Sequence, residues 1–525
     1  MKLDQHKYLK LPPESYWITS TREIAAEYPA LKEDIKTDVV IVGGGIAGIT
    51  CAYLLKKEGL SVILLEAGML AGGTTGHTTA KITSQHHLLY HKLIKQLGTE
   101  LAQQYANANE TALREMKALI DELGISCDYI PQPAIIYTEK DEKISMLQDE
   151  MKAAEKLGLP AFYQDSIPFP FTVKGALRFD QQAQFHPLKY SLNLAKAFVR
   201  GGGKIFEKTR AVEIEKDSAY TLITENGCRV DTDQLIIATH YPFYNKHGMY
   251  FTRIYQERSY VTAIKATEQF PGGMYINAED PVRSLRSLKT DSEELILIGG
   301  ARHKAGQCDD TMKKYEELLD FATPYYSISN VPFHWSAQDC MTMSGLPFVG
   351  NYAEDTPNLY ITTGFGKWGM TNSMASAMLL RDLIIKGDSP WKEVYDPSRK
   401  TNVQTAVHYM AENLNTAEKL IGGKLSSPPN EEEIDIAPGE GKVVTLYGKR
   451  AGAYRDDAGI LYIVNTTCTH MGCELNWNSA EKTWDCPCHG SRFSFEGKII
   501  EGPAVEPLTM EHDVHTIGKL LTEDF

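Results

Sequence analysis

Residues 38–48 read Asp38-Val39-Val40-Ile41-Val42-Gly43-Gly44-Gly45-Ile46-Ala47-Gly48. The short β-branched run predicts a strand buried on both faces. Glycines follow at G-x-G-x-x-G spacing, then a helical stretch from Ile49 to Lys57 that ends at Gly59. Ser61-Val62-Ile63-Leu64-Leu65 predicts a second strand, with Glu66 at its end. Strand, glycine turn, helix, strand and acid together make a βαβ unit of the dinucleotide-binding kind. Gly43 permits the tight turn, Gly45 lets a pyrophosphate approach, and Gly48 lets the helix pack closely on the strand. The helix start at Ile46 and Ala47 offers N–H groups and a positive dipole end to phosphate. Glu66 suits ribose hydroxyls. This fingerprint does not separate FAD from NAD, and a glycine turn that serves packing alone is the plain alternative.

Working outward, Glu66-Ala67 leads into a polar loop, Ala71 to Ala80, that contains Gly73, Thr74, Thr75, His77 and Thr79. Its N–H and hydroxyl groups suit a phosphate or an isoalloxazine edge. Leu359-Tyr360-Ile361-Thr362-Thr363 predicts another strand. Gly364-Phe365-Gly366-Lys367-Trp368-Gly369-Met370-Thr371 follows, then a helix to about Lys386. This is a second strand–glycine–helix unit.

With these segments, Leu235-Ile236-Ile237-Ala238-Thr239 and Ser344-Gly345-Leu346-Pro347-Phe348-Val349-Gly350, residues 37–388 resemble the D-amino-acid oxidase/glycine oxidase superfamily of FAD-dependent amine oxidoreductases. The resemblance implies an α/β Rossmann-like FAD-binding domain at about 37–85, 170–245 and 338–388. It implies an interleaved α+β substrate domain at about 86–169 and 246–337. The FAD contacts it implies begin with Gly43, Gly45, Ile46, Ala47, Gly48, Glu66 and Ala67. They continue with Gly73, Thr74, Thr75, Thr79, Val212, Thr239 and Gly345, and end with Gly364, Gly366, Gly369, Met370 and Thr371. Cationic or aromatic groups are expected over the flavin. Arg302, His303 and Lys367 are the catalytic candidates, with Arg253, Tyr255 and Trp368 behind them. His77 lies in a flavin-proximal loop or is simply solvated.

The C-terminal fifth of the chain differs in charge and in cysteine. Residues 430–525 hold 17 acids and 8 bases, a net −9 of the chain's −14. Cys51, Cys127, Cys228, Cys308 and Cys340 are scattered and read as small buried hydrophobes. Cys468, Cys473, Cys486 and Cys488 fall within 21 positions and need a chemical reason. Ser426-Ser427-Pro428-Pro429-Asn430-Glu431-Glu432-Glu433 reads as a linker. Before it, Val407, Met410, Leu414, Leu420 and Ile421 recur at helical spacing. They predict a connecting helix packed on the main body, so 389–428 is connector and 429–525 a separate module.

The module's key text is Cys468-Thr469-His470-Met471-Gly472-Cys473, then Cys486-Pro487-Cys488-His489-Gly490-Ser491. Two Cys and two His suit tetrahedral zinc. They also suit a [2Fe–2S] centre with cysteines on one iron and histidines on the other. With one spare cysteine in each loop and Gly502-Pro503-Ala504 beyond, residues 432–520 strongly resemble Rieske domains of the cytochrome bc type. The resemblance implies an all-β domain in which Cys468 and Cys486 hold one iron and His470 and His489 the other. It also implies a Cys473–Cys488 disulfide over the cluster, shielded although disulfides are uncommon in the cytosol. Ser491 matches a serine that donates to a cluster sulfur. Phe493 stands where high-potential members carry a tyrosine. Losing that donor implies a potential within about −150 to +300 mV but below the upper end.

The function expected is oxidation of an amine or amino-acid C–N bond at FAD, with electrons leaving singly through the chain's own [2Fe–2S] cluster to an external acceptor. One alternative is a Rieske oxygenase component, which needs a mononuclear iron on two His and a carboxylate. Another is a non-enzymatic redox sensor or electron carrier. His86, His87 and His91 have no carboxylate at metal-site spacing and read as non-ligands. A pI of about 5.6 argues against broad nucleic-acid binding. No apolar run reaches the roughly 20 residues of a spanning helix, and the start lacks the apolar core of a signal peptide. A soluble cytoplasmic protein is expected.

Overall fold

The computed structural model describes residues 8–9, 11–399, 403–425, 436–446 and 449–510. The linker expected at 426–433 and the tail beyond 510 lie outside the described residues. Among the described residues, no helix is long and apolar enough to cross a membrane.

The βαβ unit comprises strand Ile35–Val42, helix Ile46–Lys57 and strand Val62–Leu65. Its β-branched runs are buried on both faces. Five strands lie parallel in the order Lys204–Phe206, Val62–Leu65, Ile35–Val42, Arg229–Ile237 and Leu359–Thr363. The second glycine unit therefore sits in the same sheet as the first. Its helix, Gly369–Lys386, packs against helix Ile46–Lys57.

A second sheet of eight strands begins with Ile328–Thr342 at its edge, then Ile254–Ala266, Glu294–Lys304 and Arg283–Lys289. Met274–Asn277, Ala134–Thr138, Gly175–Phe179 and Ala161–Gln164 complete it. Only Ala134–Thr138 and Met274–Asn277 pair in parallel. Two strands cross the expected domain bounds. Gly175–Phe179 pairs with Ala134–Thr138, and Ile328–Thr342 stays paired with Ile254–Ala266 past residue 338.

Alternation along Ile254–Ala266 sorts its side chains onto two faces. Val261 and Ala263 pack toward the nucleotide sheet, with Glu257 and Ser259 in the same phase. Tyr260 and Ile264 pack in the opposite core, with Gln256 and Arg258 in their phase.

Among its described residues, the C-terminal domain forms two antiparallel sheets. One holds Gly441–Leu446, Lys449–Arg455 and Leu461–Asn465. The other holds Asn476–Asn478, Thr483–Asp485, Arg492–Ser494 and Ile499–Glu501. This domain docks on the Arg258 face. Arg258 Nη2 meets Glu481 Oε2 at 2.6 Å. Arg492 and the Ser336 hydroxyl reach the same carboxylate. The Arg258 and Arg492 side chains are 2% and 5% exposed, so both guanidiniums of the network are buried.

Two glycines let the domains approach closely. A Cβ on Gly306 would stand 2.7 Å from the Cys486 carbonyl carbon, and one on Gly490 would stand 2.6 Å from Gln256 Cγ. Gln338 Nε2 donates to the Gly490 carbonyl at 2.8 Å and Gln307 Nε2 to the Pro487 carbonyl at 2.9 Å.

The connecting helix, Val403–Leu425, differs from the expectation. It packs on the body through polar side chains: Asn413 donates to the Thr252 carbonyl at 2.9 Å, and Glu412 pairs with Lys304 at 2.8 Å. Leu420 packs against the C-terminal core, but Val407, Met410, Leu414 and Ile421 face outward. The body beneath offers carbonyls and a cation, so the helix turns its polar side to them.

Burial pushes the Glu481 carboxyl up, but Arg258 and Arg492 together outweigh it and hold it at about 2. Its contribution to stability is therefore complete above its ordinary value of 4.5 and disappears as pH falls toward about 2. Glu481→Gln should cost about 3 kcal/mol near neutrality, as breaking a buried pair does. Unfolding midpoints measured from pH 6 to pH 2 should show the gap between wild type and variant closing in acid.

Candidate active site and cluster centre

A cavity of about 1200 Å³ runs along the nucleotide sheet and reaches the C-terminal domain. Gly43 turns the chain at φ +109°, and a Cβ there would sit 2.4 Å from the Ala238 carbonyl oxygen. On Gly48 a Cβ would lie 1.9 Å from the Gly43 oxygen. Gly45 caps helix Ile46–Lys57 with no side chain; the Ile46 N–H is taken by the Thr75 hydroxyl at 3.1 Å, and the next N–H groups are left to an anion. Glu66 takes N–H bonds from Gly44 and Gly68, each at 2.7 Å. Burial pushes its carboxyl up against those two donors. The cradle and the acid fit the diphosphate and ribose of FAD.

Of the expected FAD contacts, Gly43, Gly45, Ile46, Ala47, Glu66 and Ala67 line this cavity. So do Gly73, Thr74, Thr75, Thr239, Gly364, Gly369 and Met370. The remaining six do not. Gly48 is occupied in the helix–strand contact, and Thr79 lies against Gly299. Ala211 reaches the cavity where Val212 was expected. Gly345 lies near Lys92 and Gly366 near Met341. Thr371 donates to the Thr83 carbonyl at 3.0 Å. Within the polar loop, His77 lines the cavity, and Trp335 Nε1 donates to its carbonyl at 2.8 Å.

The catalytic candidates lie outside the cavity wall. Lys367 meets Asp339 at 2.6 Å and Glu257 at 3.4 Å, and Arg302 meets the same Glu257 at 3.9 Å. His303, next along the strand, points to the opposite face and bonds the Tyr260 hydroxyl at 2.9 Å. Trp368 stacks on His86, Arg253 lies over Phe348, and Tyr255 meets His408 edge-on. His86 is buried between Tyr105 and the Thr83 carbonyl, and burial pushes it down to about 3. His87 bonds the Asn277 carbonyl, and the His91 N–H donates to Glu150.

At the C-terminal domain, Cys473 and Cys488 are joined by a disulfide. Beside the Cys486 thiol and backbone N–H donors, the Cys468 thiol is held below its usual value against burial. The Ser491 hydroxyl accepts the Ala504 N–H at 3.0 Å, and Phe493 is buried without a hydroxyl to offer. The His470 and His489 rings stand 5.0 Å apart. Burial pushes His470 to about 4 and His489 to about 3, so both imidazoles are in the neutral form that binds metal. His470 Nδ1 is buried without a partner. Two thiols, two neutral imidazoles and that bare nitrogen fit a two-Cys, two-His cluster.

Both histidines are capped by the preceding domain. Asn245 Nδ2 lies 3.0 Å from His470 Nε2. The Phe251 and Tyr241 ring centres lie 6.2 Å and 6.5 Å from that of His489. His240 and Tyr241 in turn line the large cavity. These residues, with Arg258 and Glu481, were not singled out from sequence, because no local pattern marks them.

Comparison with known proteins matches residues 38–383 to the family model "FAD dependent oxidoreductase" and 429–515 to the "Rieske [2Fe-2S] domain". A Bacillus subtilis protein described as a putative Rieske 2Fe-2S iron-sulfur protein, YhfW, is 43% identical over 96% of this chain and 98% of its own length. Gamma-glutamylputrescine oxidoreductase of Escherichia coli is 23% identical over 71% of this chain and 89% of its own. Glycine oxidase from Geobacillus kaustophilus shares the fold with TM-score 0.60 at 18% identity, over 70% of this chain and all of its own. The chain belongs to the D-amino-acid-oxidase-type family of FAD-dependent oxidoreductases and carries a C-terminal Rieske [2Fe–2S] domain.

Proposed function

We propose that this chain oxidises the C–N bond of an amine or amino acid at FAD and passes the electrons one at a time to its own cluster, then to an external acceptor. The observation that carries the relay is a single loop, residues 238–245. At one end Ala238, Thr239, His240 and Tyr241 wall the cavity; at the other Asn245 holds His470. When bound, FAD supplies a two-electron acceptor and the cluster a one-electron carrier.

The chain's own part is to hold, orient and exclude water. Cys468 and Cys486 would hold one iron, and His470 and His489 the other. The docked domain leaves His489 only 5% exposed, which shields the approach to the cluster. Lys367 and Arg302, with Glu257 and Asp339, gather two cations and two acids beside the second glycine unit. These four side chains lie outside the cavity wall; the substrate class proposed is an amine or amino acid. The names of the E. coli relative and the Geobacillus structure, one an amine and one an amino-acid oxidoreductase, agree with that class.

Anaerobic addition of amines and amino acids to the holoprotein, followed by absorbance and EPR, tests the reading. A substrate that bleaches the flavin should then raise the reduced-cluster EPR signal. A bleached flavin beside a cluster that stays oxidised would overturn the relay.

A further inference from the structure

We propose that Asn245 is a positioning residue for the cluster: its amide oxygen accepts the Nε2–H of His470 and thereby lowers the cluster's reduction potential. This rests on the Rieske character of the C-terminal domain and is independent of the substrate.

Four polar atoms of one contact lead to it. His470 Nδ1 has no partner, Asn245 Oδ1 has no partner, and Asn245 Nδ2 faces His470 Nε2 at 3.0 Å. Unpaired buried polar atoms are costly, so two in one contact need a cause. Iron on Nδ1 leaves the ring proton on Nε2, because a neutral imidazole carries a single N–H. That proton requires an acceptor. The two ends of an amide are alike in shape, and a half-turn of Asn245 brings Oδ1 onto Nε2. Nε2–H then pairs with Oδ1 and Nδ1 would be left to iron, while the amide nitrogen takes the unpartnered place that Oδ1 leaves.

The electronic consequence has a definite sign. An acceptor on the outer N–H of a ligating histidine makes the imidazole more basic. A more basic ligand favours the oxidised iron, so the potential falls. Asn245 belongs to the flavoprotein part, as does Phe251, six positions on, whose ring meets that of His489 edge-on at 6.2 Å. One segment of the flavoprotein part thus lies against both imidazoles. The cluster's potential becomes a property of the docked protein and not of the Rieske domain alone.

The test is an EPR-monitored redox titration of the full-length holoprotein with chemical mediators and no substrate. Asn245→Ala removes the acceptor and should raise the potential, by about 59 mV for a tenfold change in the oxidised-to-reduced ratio of a one-electron couple. Asn245→Asp keeps the shape and accepts more strongly, so it should lower the potential. The rise in Asn245→Ala carries the test, because the charge that Asp adds lowers the potential by itself. Unchanged potentials, or shifts in the same direction, would overturn it. Because no substrate is used, the outcome is separate from whether an amine reduces the flavin.

Discussion

Arg258 reaches out of the second sheet to Glu481 of the C-terminal domain, and Arg492 meets the same carboxylate from its own side. Arg492 also takes Asp485 at 3.1 Å and Glu501 at 3.0 Å. Removing such charges from water costs several kcal/mol per ion unless the partners are in place. With Arg258 in one domain and Glu481 in the other, this network is satisfied only when the domains are closed on each other. The closed position in turn brings Gly306 against the Cys486 backbone and Gly490 against the Gln256 side chain around the cluster loops. Everything proposed about electron flow depends on that closure.

Closure also changes the meaning of the acidic C-terminal charge. Glu481, Asp485 and Glu501 belong to the domain with net −9, yet they face inward to the two arginines. Part of the charge thus holds the module on the flavoprotein and is not displayed to an acceptor. The same closure puts His489 beside Tyr241 and His470 beside Asn245, on a loop that walls the FAD cavity. Cavity and cluster are then neighbours through a few covalently continuous residues.

What the sequence made legible was what is local. The first βαβ unit reads directly because each glycine serves a contact within a few residues, as Gly43 and Gly48 show. The cluster loops read for the same reason, since Cys468 to Ser491 is one short text. The Cys473–Cys488 pairing came from family resemblance and not from spacing. The docking could not be read, because Arg258 and Glu481 are 223 positions apart and nothing in either neighbourhood marks them. Strand alternation separated Arg302 from His303, which adjacency in sequence had grouped. Apolar spacing placed the connecting helix correctly but turned it the wrong way, since the surface beneath binds its polar side. Among the flavin contacts, Val212 and Ala211 differ by one position on a strand, a step that exchanges faces.

The central claim is that flavin site and cluster belong to one closed body, so that transfer needs no domain swing. It is tested most directly by the single-turnover rate of cluster reduction after rapid anaerobic flavin reduction, measured against added glycerol and against protein concentration. The account predicts a first-order rate that changes with neither. A rate that falls as viscosity rises, or that increases with protein concentration, would contradict it.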